Sequence, residues 1–242
     1  MSDRDAFLTT CWTEVLAAKG NSKEARVALG EMCDGYYAPV VAFLRSEGRS
    51  DDRARELAHN FFAWLLARDT LTRLERGKGK FRSYLLGSLK HYLGHERARH
   101  KRLKRGGGVR HESLGNETEI PTPGPEPGAG ISLPPDREFD RQWALHILKE
   151  AMRGIEAEWR SAGKEALWDQ LKPFLDGETK HGDLALLAER TGRKESTLRS
   201  DLHRLRRGFR GQVKRRIAPT LGEGEALIDE MEILFAALAG RP

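Results

Sequence analysis

Apolar residues recur every three or four positions along most of the chain, which is the period of an α-helix with one buried face. Within 51–68, for example, Ala54, Leu57, Phe61 and Leu65 follow this spacing. No segment alternates apolar and polar residues for long enough to predict a β-strand. The pattern therefore predicts an all-α protein. Its helices are expected near 5–19, 22–47, 51–68, 80–104, 137–161, 163–175, 182–190, 194–216 and 223–239.

A stretch rich in glycine and proline interrupts the helical pattern. Residues 106–136 read GGGVRHESLGNETEIPTPGPEPGAGISLPPD and hold seven glycines and six of the ten prolines. This composition has too few apolar side chains to form a core and is typical of a flexible linker. We therefore predict two helical domains, 1–105 and 139–242, joined by a linker over 106–138.

Composition narrows the class of protein. The two cysteines, Cys11 and Cys33, belong to no CxxC or Cys/His cluster, which argues against a disulfide framework and a structural zinc site. No apolar run approaches the ~20 residues that a membrane span needs, and the first ten residues lack the pattern of a secretory signal. We expect a cytoplasmic protein with no membrane partner.

The second predicted domain contains a basic amphipathic helix after a glycine turn. In DLALLAERTGRKESTLRSDLHRLRRGFRG, Leu198, Leu202, Leu205 and Phe209 follow a helical period after Gly192. Glycine lets two short helices change direction sharply, so we predict a helix-turn-helix over 183–210, a motif that can enter a DNA major groove.

The charge on this predicted helix is strongly one-sided. Residues 193–216 hold ten Lys/Arg against two acids, whereas the whole chain has a net charge of only +6. A local basic surplus favours phosphate contacts; the alternative is a solvated helix in a bundle. We predict duplex readout by Ser196, Arg199, Ser200, His203 and Arg204, and phosphate contacts by Arg206, Arg207, Arg210 and Lys214.

The first predicted domain has a basic segment with interspersed aromatic residues. Residues 76–105 hold eleven Lys/Arg, three histidines and one acid, Glu96, with Phe81, Tyr84 and Tyr92 among them. Basic side chains that follow a backbone, with aromatic rings for base stacking, are typical of single-strand binding. The alternative is that Phe81 and Tyr92 are core residues of their helix.

Three catalytic or metal-binding motifs are absent near this segment. HERARH places two histidines five apart, and His91 and His95, four apart, lack the Glu directly after the first histidine that the helical zinc motif needs. RGKGKFRS lacks the spacing of a phosphate-binding loop, and no GxSxG element occurs. We expect no enzyme activity, no metal and no cofactor.

Taken together, three segments resemble the bacterial RNA polymerase sigma factors of the compact, two-domain extracytoplasmic-function type. They are SDDRARELAHNFFAWLLARD, GKGKFRSYLLGSLKHYLGHERAR and GDLALLAERTGRKESTLRSDLHRLRRGFR. The resemblance covers roughly 22–104 and 139–216, and it implies a nucleoid-associated factor that directs polymerase to promoters.

The resemblance also implies partners and roles. The partners are core RNA polymerase, through its beta-prime clamp and beta flap, and promoter DNA; an anti-sigma factor is left open. The resemblance assigns polymerase docking to Asp52, Glu56, His59 and Asn60. It assigns melting and capture of the minus-ten element to Lys80, Phe81, Arg82, Tyr84, Lys90, His91, Tyr92 and Arg97. The helix-turn-helix would read the minus-thirty-five element as duplex.

The chain departs from the family pattern at several positions. Arg53, Arg55 and Asn60 stand where an acid is usual, so a sigma-derived regulator that binds promoters without recruiting polymerase is the alternative. A second alternative is an adaptor that binds other proteins and has no affinity for DNA. Lys194 stands where a serine helix cap is usual, and we expect Ser196 to cap the helix instead.

The last predicted helix, 223–239, carries five acidic residues and no basic one. Ile228, Met231, Leu234 or Phe235, and Leu238 would form its apolar face. It is expected to pack on its own second domain or, alternatively, to cover the basic recognition helix.

Overall fold

The computed structural model describes residues 23–67, 80–106, 133–175, 182–221 and 226–239. Every regular element in these ranges is helical, as the apolar spacing predicts. The α-helices are α1 Lys23–Ser46, α2 Asp51–Ala67, α3 Phe81–Gly106, α4 Pro135–Ser161, α5 Glu165–Leu171, α6 Asp183–Thr191, α7 Glu195–Ile217 and α8 Leu227–Ala239. Short 3-10 segments follow α5 and α7. Over the same ranges, none of the helices has the length and apolar character to cross a membrane.

The helices belong to two compact units. The first contains α1, α2, α3, the start of α4 as far as Ala144, and α8; the second contains α4 from Leu145 onward, α5, α6 and α7. The predicted helix at 5–19 and most of the predicted linker lie outside the described residues.

The first unit has an aromatic and aliphatic core. Its α2 contributes Ala54, Leu57, Phe61 and Leu65, all buried, which confirms the apolar face predicted for that helix. From α1, Tyr36 meets the edge of Phe81 on α3, with ring centroids 5.1 Å apart, and it also stacks on Phe139 of α4 at 6.3 Å. Aromatic pairs at these separations add to the stabilisation from apolar burial.

The second unit is built around a tryptophan on the short helix α5. Trp168 is fully buried, together with Ile155 and Trp159 of α4 and Leu184 and Leu187 of α6. The predicted apolar residues of α7 complete this core: Leu198, Leu202 and Leu205 are buried, and Phe209 packs partly buried against them.

Two boundaries differ from the sequence prediction. Helix α4 begins at Pro135, inside the predicted linker 106–138, because proline has a helical φ and needs no hydrogen-bond acceptor in the first turn. Asp136 and Glu138 add negative charge in that turn, next to the positive end of the helix dipole. The predicted helix 163–175 is shorter, since α5 ends at Leu171 and a 3-10 turn containing Pro173 follows.

The acidic helix α8 belongs to the first unit, although its residues lie within the predicted domain 139–242. Its buried residues are Glu230 and Leu234. Ile228 and Phe235, expected on its apolar face, are 71% and 56% exposed. The apolar face expected for α8 is therefore confirmed in part, since Leu234 is buried and Met231 and Leu238 are partly buried.

Candidate nucleic-acid interface

Helices α6 and α7 are joined by a short turn that depends on one glycine. Gly192 follows α6 with φ of 67°, in the left-handed region that other residues rarely adopt. Just before it, the Thr191 hydroxyl donates to the carbonyl of Leu187 at 2.7 Å. The glycine therefore ends α6 and allows the chain to enter α7 within three residues.

The first residue to accept hydrogen bonds from α7 is Lys194. The amides of Thr197 and Leu198 donate to its carbonyl at 3.0 and 3.1 Å, and no side chain caps the helix there. Ser196 lies inside the first turn, where its own carbonyl accepts a hydrogen bond from the Ser200 hydroxyl at 3.0 Å. The expectation that Ser196 caps a later helix start is therefore wrong, because the helix already begins at Glu195.

One side of α7 is buried and the other carries most of the predicted DNA-binding residues. While its leucines pack in the core of the second unit, eight of the nine predicted side chains are exposed. These eight are Ser196, Arg199, Ser200, His203, Arg204, Arg207, Arg210 and Lys214. They follow one another at intervals of one to four positions, so they form a basic, hydroxyl-bearing strip along the helix, here called the α7 strip.

Two arginines of the α7 strip have acidic neighbours on the same helix. Arg199 pairs with Glu195 at 2.6 Å, and Arg204 pairs with Asp201 at 3.3 Å. The Arg199–Glu195 pair is exposed, and pairs of this kind contribute only about 0.2–1 kcal/mol, so a phosphate or a base edge could replace Glu195 at little cost. Asp201 is buried, so Arg204 has the more strongly held of the two carboxylate partners.

The ninth residue, Arg206, has a different environment. It is partly buried, and its guanidinium donates to the backbone carbonyl of Phe174 at 2.9 Å. It thus joins α7 to the 3-10 turn after α5 and lies apart from the α7 strip. Its sequence context of consecutive arginines resembles that of Arg207, so no local signal separates the two.

The carboxy-terminal half of α7 is fixed to α4 by a polar contact. Gln212 donates to Glu158 Oε1 at 2.6 Å, and Arg215 pairs with the same oxygen at 2.7 Å. No local sequence pattern indicates this role of Glu158, since its partners lie 54 and 57 positions later.

In the first unit, two of the predicted base-stacking rings are core residues. Phe81 and Tyr92 are both buried, and Tyr92 lies between Phe61 at 5.7 Å and Trp64 at 5.5 Å. Their rings therefore stabilise the packing of α3, which is the alternative interpretation of the sequence. Tyr84 is partly exposed, and its ring lies 6.2 Å from that of Phe81.

Arg82, also predicted to contact single-stranded DNA, is buried among acidic side chains. Its guanidinium hydrogen-bonds Asp140 of α4, donates to Glu230 of α8 at 3.1 Å, and lies 5.0 Å from the centre of the Trp143 ring. Burial alone would lower the pKa of Arg82, but the two carboxylates raise it above its ordinary value. The arginine is therefore charged and fully engaged within the unit.

Four further residues predicted to contact single-stranded DNA, on α3 or directly before it, are exposed or partly exposed and have charged or polar neighbours. Lys90 pairs with Asp136 at 2.7 Å, and Arg97 pairs with Glu47 at 2.7 Å. Lys80 is paired with Glu230 at 2.8 Å. The ring nitrogens Nε2 of His91 and His95 lie 3.1 Å apart.

The residues predicted to dock on polymerase lie on the solvent side of α2. Asp52, Glu56, His59 and Asn60 are all exposed, and their spacing of four, three and one places them on one helix face. Arg53 pairs with Glu56 at 2.6 Å, and the ring of His59 stacks on Tyr37 at 5.2 Å. This α2 face therefore carries acidic groups that are partly neutralised by the helix's own arginines.

Comparisons of the chain with protein-family models, with curated proteins and with solved structures found no match.

Proposed function

We propose that this chain is a sigma factor that directs core RNA polymerase to promoters. In this proposal the two units act as separate domains, and α6 and α7 form a helix-turn-helix. The observation that carries it is the α7 strip, in which eight predicted DNA-binding side chains are exposed above a buried row of leucines. The sequence resemblance to sigma factors supplies the promoter and the polymerase as partners.

The α7 strip has the chemistry that duplex recognition needs. Arg199 and Arg204 can donate two parallel hydrogen bonds to a guanine edge, and the serine hydroxyls can donate or accept. Arg207, Arg210 and Lys214 extend the positive charge toward the end of the helix, where phosphates would hold the protein in register. Arg206 instead joins α7 to the carbonyl of Phe174, so we assign it no contact with DNA.

The α2 face would contact polymerase. Its exposed acids and amide at Asp52, Glu56 and Asn60 offer hydrogen-bond acceptors to a basic partner surface. The bond-making chemistry belongs to polymerase in this proposal, and the chain contributes promoter recognition and strand capture.

Transcription with purified core RNA polymerase and a genomic fragment library tests the proposal. We expect discrete new start sites that require this protein. Arg199→Ala with Arg204→Ala should abolish them, whereas Arg153→Ala, which removes an exposed arginine on α4, should leave them unchanged. Absence of any protein-dependent transcript would contradict the proposal.

A promoter-binding regulator that does not recruit polymerase is the second candidate. The observation favouring it is the α2 face, where Arg53 and Arg55 neutralise Glu56 and Asp51 at 2.6 and 2.8 Å. Salt-sensitive duplex binding without new transcripts would select this candidate. Absence of both would leave a protein-interacting adaptor.

A further inference from the structure

Within the first unit, the acidic helix α8 has one carboxylate that binds two cations at the start of α3, Lys80 just before the helix and Arg82 in its first turn. Glu230 is 1% exposed; its Oε2 lies 2.8 Å from the ammonium of Lys80, and its Oε1 accepts from Arg82 at 3.1 Å. Asp140 of α4 holds the other side of the Arg82 guanidinium. Leu234, one turn later on α8, is fully buried and extends the contact with apolar area.

Lys80 and Arg82 are two of the basic residues predicted to contact single-stranded DNA. A carboxylate and a phosphate compete for the same donors, since both accept hydrogen bonds from ammonium and guanidinium groups. With Glu230 in place, Arg82 is only 7% exposed. DNA and α8 therefore cannot occupy these two cations at the same time.

The same contact is sensitive to the charge at one position. Removing the Glu230 carboxylate would leave Arg82 with Asp140 alone and would take the paired carboxylate from Lys80, and loss of one partner of a buried ion pair is costly. On the other side of α8, Ile228 and Phe235 are largely exposed. The charge of Glu230 is thus the part of α8 on which its docking depends most.

We propose that α8 is an autoinhibitory helix that occupies the phosphate-binding cations Lys80 and Arg82 and must leave them before α3 can bind single-stranded DNA. This inference rests on the proposed function, because it assigns a regulator to the single-strand site of that function. It places the control of strand capture within the chain itself.

Binding of a fluorescent single-stranded oligonucleotide to the full-length protein tests the inference. Glu230→Gln should tighten binding roughly tenfold at low salt and steepen the salt dependence by about 1.4, since each phosphate contact on a single strand adds ~0.7. Glu232→Gln is the matched control, because it makes the same charge change at an exposed position of the same helix. Equal affinities for the two variants would overturn the inference.

A second measurement uses the unmodified protein and so does not depend on how a variant folds. Adding saturating single-stranded oligonucleotide should accelerate amide hydrogen exchange in 227–239. Unchanged or slower exchange, with the oligonucleotide bound, would contradict release of α8. If neither measurement gives the expected result but the protein still directs transcription from promoters, the autoinhibitory role of α8 is wrong and the proposed function stands.

Discussion

Gly208 of α7 lies against Ile155 of α4 so closely that a Cβ atom at position 208 would come within 2.7 Å of Ile155 Cδ1. Ile155 is buried in the core of the second unit and has little room to move aside. Three residues later, a Cβ atom at Gly211 would have no neighbouring atom within 4 Å. The two glycines of α7 therefore have different roles, since only Gly208 permits close approach to α4.

This difference predicts opposite effects of the same substitution. Gly211→Ala should stabilise the second unit by about 0.5–1 kcal/mol, because alanine favours a helix more than glycine does. Gly208→Ala should leave the protein about 1–3 kcal/mol less stable than the Gly211→Ala variant, owing to overpacking against Ile155. Urea unfolding measures the stability of each variant, and amide hydrogen exchange at Leu202 and Leu205 measures it within α7. Equal stabilities would show that α7 moves away from α4 without cost.

The first turn of α7 offers a stabilising substitution. Lys194 has the extended backbone of a helix cap, with φ −68° and ψ 133°, but its side chain makes no capping hydrogen bond. Lys194→Ser should add about 1 kcal/mol to the free energy of unfolding, since the hydroxyl can accept from a free amide of the first turn. Lys194→Ala is the control and should give no such gain. A gain shared by both variants would attribute the effect to the loss of charge.

The sequence predicts the helices of both units because local periodicity and burial coincide there. Ala54, Leu57, Phe61 and Leu65 all face the first core, as their spacing suggests. Eight of the nine side chains predicted to bind DNA on α7 are also exposed, because most residues between the leucines of a helix face outward. For these elements the apolar pattern alone determines which side is buried.

The position of α8 could not be predicted in this way. The predicted apolar face of α8 includes Leu234, which is buried, but Ile228 of the same face is 71% exposed, and the other buried residue is the acidic Glu230. The charge partner of Glu230 is Arg82, 148 positions earlier, so no local pattern reports the pairing. Phe81 and Tyr92 are ambiguous for a related reason, since an aromatic ring on a basic helix fits a core and a stacking site equally well.

A histidine of α4 makes the stability of the second unit depend on pH. Burial lowers the pKa of His146 below its ordinary 6.5, with Glu150 opposing the shift. The unfolded chain therefore binds a proton at His146 more readily than the folded protein does. The contribution of the neutral His146 to stability is fully present above pH 6.5 and is lost as the pH falls below that value. His146→Gln should weaken this loss, as measured by amide exchange in the second unit across that range.

The exposed histidine of α7 provides the comparison for this prediction. His203→Gln is the matched control, because it makes the same substitution at an exposed position of the same unit. If the two variants lose stability with acid to the same extent, a group other than His146 is responsible.

Neighbouring arginines on α7 should separate DNA binding from folding. Arg207 is exposed, and Arg207→Ala should weaken duplex binding evenly across sequences and reduce the salt slope by about one. Arg206 instead donates to the carbonyl of Phe174. Arg206→Ala should therefore leave the slope unchanged and cost about 1.5–3 kcal/mol of stability, the range for a hydrogen bond to a charged group.

Fluorescence anisotropy on duplex DNA at several salt concentrations, paired with urea unfolding, measures the two effects on the same samples. A loss of Arg207→Ala binding confined to one base position would mean that this arginine reads sequence and does not contact phosphate. A reduced slope in Arg206→Ala would mean that its guanidinium leaves Phe174 to reach DNA. Because the two side chains are adjacent and carry the same charge, any difference between them must come from the placement of each on α7.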